Sequence, residues 1–90
     1  MTGNSGLPEK VKTGHEANSV LNNHAFKGAM LTAKANLVNK FVDSQPEDSQ
    51  AREEAYLQLR AMSTFFDELT DMIQSGTLAQ RDLELQSKPN

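Results

Sequence analysis

Residues 51–73 read AREEAYLQLRAMSTFFDELTDMI, and their spacing decides the fold class. Ala55, Leu59, Met62, Phe66, Leu69 and Ile73 recur at alternating intervals of four and three. That period is the apolar seam of a helix lying against another helix, and it excludes a strand, whose period is two. Ala61, Phe65 and Met72 widen the stripe on one side, so the apolar arc covers about 160° at about 100° per residue. A single neighbouring helix does not cover such an arc. The opposite face carries Glu53, Arg60, Asp67, Glu68 and Asp71 and is read as solvated.

Working toward the N-terminus, Asp43-Ser44-Gln45-Pro46 ends a preceding helix, because the residue before proline is pushed out of helical conformation. Ser44 and Glu47 have capping-box spacing, with Asp48 and Ser49 as rival N-caps, so the seam helix is predicted over about 47–75. The preceding helix is predicted over 23–42. Asn22 is its expected N-cap, with Leu21 and Phe26 as the flanking hydrophobic staple. This helix has two apolar stripes about 120° apart: Phe26, Met30, Ala33, Leu37 and Phe41 form one, and Leu31, Ala35, Val38 and Val42 the other. Lys27 and Lys34 separate them, and no acid occurs between Ala17 and Val42.

A turn or two of helix is expected over 16–21. Residues 1–15, with Gly3, Gly6, Pro8 and Gly14, read as a flexible arm. On the other side, Gly76 is the expected C′ residue of the seam helix, and Thr77 and Gln80 have the spacing of another capping box. These predict a short third helix over 78–86 and a frayed tail over 87–90. The expected architecture is therefore all-α: an antiparallel helical hairpin with a short third helix in a homo-oligomeric bundle. The third helix, with Leu78, Leu83 and Leu85, is too short to cover both second stripes, which is the argument for self-association. The competing arrangement is a monomer whose wide arcs close around the third helix and the arm.

Composition narrows the functional classes. Ninety residues suffice for one small domain. With no cysteine, thiolate metal sites, disulfides and cysteine nucleophiles are excluded. Mean hydropathy is −0.60, and no apolar run exceeds three residues, so no transmembrane helix is expected. The first 14 residues are polar where a secretory signal needs an apolar run, and a cytoplasmic protein is expected. The net charge of −3 is asymmetric: residues 1–42 carry five Lys and two Glu, and residues 43–90 carry ten acids against three Arg and one Lys. Neither the overall sign nor the scattered Lys27, Lys34 and Lys40 fits a nucleic-acid binder.

No phosphate loop, dinucleotide fingerprint, zincin motif or nucleophile elbow occurs. His15 and His24 are nine residues apart across a helix break, which is not metal-ligand spacing. The pairs Glu47-Asp48, Glu53-Glu54 and Asp67-Glu68 point about 100° apart on a helix and read as surface, as do Asp67 and Asp71. The sequence thus offers no catalytic, cofactor or metal site, and the reading is non-enzymatic. The candidate residues are those of a protein interface: Leu31, Ala35, Val38 and Val42 on the second stripe, and Phe65 and Met72 at the edge of the seam.

Several short segments together resemble the small helical-hairpin proteins encoded by tailed phages and prophages, many without assigned activity. They are Leu21-Asn22-Asn23-His24-Ala25-Phe26-Lys27-Gly28-Ala29, Ser44-Gln45-Pro46-Glu47-Asp48, Ala51-Arg52-Glu53-Glu54-Ala55-Tyr56, and Gly76. The resemblance covers about residues 20–85 and rests on caps and turns. It implies a structural or assembly protein, or a small adaptor or inhibitor of a host or phage protein, and it carries over no site residue.

Overall fold

The computed structural model describes residues 6–87. Three α-helices, α1 (Leu7–Asn22), α2 (His24–Asp43) and α3 (Ser49–Ser87), account for nearly all of them, with no strand among the described residues. The protein is all-α. The chain divides into two units: α1 with the part of α3 from Asp67 onward, and α2 with the part of α3 up to Phe66. α3 passes from one unit to the other without a break.

The first unit departs from the expected helix bounds at two places. Helix begins at Leu7, not near residue 16, so residues 7–15 of the expected arm are helical; residues 1–5 lie outside the described residues. Pro8 falls in the first turn, where its missing N–H has no intrahelical partner to lose, and Lys10 N–H donates to the Gly6 carbonyl at 3.1 Å. The second correction concerns Gly76, which does not end a helix. A C′ glycine adopts positive φ, and no described glycine does. The predicted third helix over 78–86 is instead the continuation of α3. Thr77, expected as its cap, donates its hydroxyl back to the Ile73 carbonyl at 3.1 Å.

Gly14 and Gly76 explain both corrections. A Cβ built on Gly14 would stand 3.0 Å from Gly76 Cα and 3.0 Å from the Met72 carbonyl oxygen. One built on Gly76 would stand 3.0 Å from Gly14 Cα and 3.0 Å from the Lys10 carbonyl oxygen. The two backbones therefore touch where neither residue has a side chain. Ala17 and Ala79, each three residues further on, are buried as well. Leu69 is buried, and Leu7, Val11, Leu21, Ile73 and Leu83 are half-buried around this small-residue contact.

In the second unit, α2 and α3 touch through the first stripe of α2 and the predicted seam. Leu37 and Ala55 are buried; Phe26, Met30, Leu59, Met62 and Phe66 are half-buried. The Phe26 ring lies 6.2 Å from that of Phe65 and 6.1 Å from that of Phe66, the latter edge-on. Leu37, Lys40 and Asp43 line a groove with Asp48, Ala51 and Ala55. The start of α2 thus meets residues 65–66, and its end meets residues 48–55.

The N-cap of α2 is Asn23, one residue beyond the expected Asn22. Its extended backbone (φ −70°, ψ 127°) breaks the helix, and its side chain accepts from Phe26 N–H at 2.9 Å. Asn22 belongs to α1 and donates from Nδ2 to the Asn18 carbonyl at 2.9 Å. Leu21 and Phe26 consequently do not occupy staple positions.

Two expectations follow. Gly14→Ala and Gly76→Ala should each lower stability by about 1–3 kcal/mol through overpacking, against the gain of about 1 kcal/mol that alanine brings to a helix. Gly28→Ala, with nothing within 4 Å of its added methyl, should raise stability by about 0.5–1 kcal/mol. Second, Asn23→Ala should cost about 1 kcal/mol, whereas Asn22→Ala should cost much less. Urea denaturation followed by circular dichroism at one fixed protein concentration checks both.

Candidate interaction surface

The most elaborate local structure is the turn between α2 and α3. Ser44 caps α2 with extended backbone, and its hydroxyl donates to the Phe41 carbonyl at 2.8 Å. Asp48 precedes α3: its carbonyl accepts from Arg52 N–H at 3.1 Å, and its carboxylate accepts from Gln45 N–H at 3.2 Å. Of the three N-cap candidates, Asp48 takes the position, and α3 starts at Ser49. Arg52 then reaches back over the turn. Its Nη1 donates to the Gln45 carbonyl at 2.6 Å and to Ser44 Oγ at 3.1 Å, and Nη2 donates to the Pro46 carbonyl at 3.1 Å. The planar fork of guanidinium donors suits several carbonyls around one turn, which a lysine ammonium on its flexible stem does not match. Nothing in the sequence pattern singled out Arg52, because its partners are backbone oxygens brought together only by the turn.

The predicted interface residues are placed as follows. Leu31, Ala35, Val38 and Val42 all lie exposed on α2, with Leu31 69% and Val42 72% accessible. Phe65 is 48% accessible although its ring sits beside Phe26. Met72 belongs to the first unit, where it lines a groove with Glu9, Lys10, Thr13, Glu68, Asp71 and Ser75. Exposed apolar side chains missing from the sequence reading of the interface include Leu57 and Tyr56. Leu57 falls one turn before Ala61 and two before Phe65, so these three make a row that helical spacing alone reveals. Tyr56 accepts from Arg60 Nη1 at 3.1 Å, and the guanidinium lies 5.9 Å from its ring centre.

The buried apolar set is small: Ala17, Leu37, Ala55, Leu69 and Ala79, three of them alanines. No polar or charged side chain is buried among the described residues. The grooves are shallow and polar-edged. One groove, of about 490 Å³, brings His15 and Asn18 alongside Arg81 and Glu84, a juxtaposition that follows from the Gly14–Gly76 contact and was not visible in the sequence. Among the described residues no three histidine, aspartate or glutamate side chains converge as metal ligands, and no helix is long and apolar enough to cross a membrane. No protein-family model, curated protein or solved structure matches the chain.

Arg52→Lys should leave the helices intact but loosen the turn, lowering stability by about 1 kcal/mol. Hydrogen exchange should report the change as faster exchange of the amides of residues 45–52.

Proposed function

We propose that this chain is a non-enzymatic helical protein in which α2 and the first part of α3 form an antiparallel hairpin, and that it acts by self-association as a structural or assembly component. The observation that supports this most directly is the mismatch between buried and exposed apolar residues. Among the described residues only two large side chains, Leu37 and Leu69, are buried, while Leu31, Val38, Val42, Leu57 and Phe65 stand exposed. Burying a large apolar side chain contributes about 1.5–3 kcal/mol, and the stability of a whole domain is about 5–15 kcal/mol. A second copy covering what remains exposed of those residues therefore contributes several kcal/mol, about 4–8 before the cost of association. The resemblance of residues 44–48 and 51–56 to segments of small phage and prophage proteins supports reading the chain as a small assembly protein made in the cytoplasm of a bacterial host.

Light scattering across concentration tests the proposal. The wild-type chain is expected to form a dimer or larger assembly at high micromolar concentration. Leu31→Asp combined with Val38→Asp is expected to reduce the mass to that of one chain, 9.9 kDa, with helicity retained. A wild-type chain that stays monomeric overturns the proposal and leaves the exposed surface to a different protein, which would make the chain an adaptor or inhibitor.

A further inference from the structure

The exposed apolar rows of α2 and α3 differ in their charged borders, and this difference specifies how two copies meet. On α2, Leu31, Val38 and Val42 are bordered along one side by Lys27 and Lys34; the only acid of the helix, Asp43, is its last residue. On α3, the row Leu57, Ala61 and Phe65 is preceded, one turn toward the N-terminus, by Glu53 and Glu54. Arg60, also next to that row, donates to Tyr56 and keeps its positive charge, so Glu53 and Glu54 outnumber the cations beside the row by one. Lys27, Lys34, Glu53 and Glu54 are all exposed.

Helical phase places the two rows on opposite faces of the α2–α3 pair. At about 100° per residue, the α2 row lies about 120° around its helix from the row of Phe26, Met30 and Leu37 that meets α3. The α3 row lies about 130° in the opposite rotational sense from Leu59, Met62 and Phe66. Because the helices run in opposite directions along their contact, opposite senses turn the rows to opposite faces. One copy cannot offer both rows to the same two-fold partner. A like-on-like pairing of α2 rows brings two basic faces together, and like-on-like pairing of α3 rows brings together two faces whose nearest charges are mainly acidic. Only the unlike pairing matches apolar surface with opposite charge.

Resting on the self-association reading, we infer that copies join head to tail, the lysine-bordered row of α2 in one copy docking on the glutamate-bordered row of α3 in the next. Such a contact is heterologous, so it does not stop at two subunits: it closes into a ring or continues as a filament according to the rotation between neighbours.

Two complementary blocked variants test this with the full chain. Leu31→Asp/Val38→Asp closes the α2 face, and Leu57→Asp/Ala61→Glu closes the α3 face, all at exposed positions. Each variant alone is expected to scatter as a monomer. Their equimolar mixture is expected to give a 1:1 heterodimer and nothing larger, since each copy retains one half of the contact. Wild-type circular dichroism in both variants establishes that they fold. If either variant alone still self-associates, like faces pair and the head-to-tail inference fails while the self-association reading stands. If both are monomeric, folded and do not combine, the inference fails as well; a monomeric wild type removes both. A charge exchange provides a second readout. Lys27→Glu/Lys34→Glu should abolish assembly, and adding Glu53→Lys/Glu54→Lys in the same chain should restore it; failure of the restoration counts against the inference. Assembly of the wild type should also weaken as salt is raised.

Discussion

Each unit depends on covering an apolar row of α3. A helix of 39 residues rises about 58 Å at 1.5 Å per residue, longer than either partner helix. The row is therefore shared: α2 covers residues up to Phe66, and α1 covers those from Asp67 onward. Asn23 makes the division possible. One extended residue ends α1 and caps α2, so two helices of 16 and 20 residues follow one another with almost no loop. The half-buried and buried positions of α3 keep the intervals of four and three from Ala55 to Gly76, and no positive-φ residue interrupts them.

The two stretches of that row are covered by different means. Against α2, aromatic and long aliphatic side chains interlock, with Phe26 beside Phe65 and Phe66. Against α1, the contact is between backbones at Gly14 and Gly76, followed by Ala17 and Ala79. Close backbone approach gains dispersion contacts along both helices, yet it buries little side-chain area. Both solutions leave apolar residues on the outer surfaces of α2 and α3, and the hydrophobic effect makes those residues the natural place for further contact. That physical deficit underlies the proposed association.

Electrostatics adds direction to a force that has none of its own. The basic border on α2 and the acidic border on α3 follow from the charge asymmetry of the two halves of the sequence. Where apolar burial drives contact, bordering charges select which faces meet, because opposing like charges at the rim of an interface disfavours the wrong pairing. Arg52 shows another use of a cation: it binds the carbonyls of the turn, holding the end of α2 against the start of α3.

The sequence by itself determined the all-α class, the seam from Ala55 to Ile73, the turn around Pro46 and the two stripes of α2, because each is written in local periodicity or in the restriction a proline imposes. The cap of α2 was legible to within one residue, since Asn22 and Asn23 are chemically equivalent and only the helix register chooses Asn23. Tertiary structure decided the rest. Gly6, Pro8 and Gly14 look like a flexible arm in isolation, and Gly76 looks like a helix end, because glycine's local meaning is conformational freedom. In the fold Gly14 and Gly76 face each other, and the missing side chain, not the freedom of φ, is what the contact requires. No local pattern records that pairing, since it joins residues far apart in the chain and exists only when α1 lies on α3.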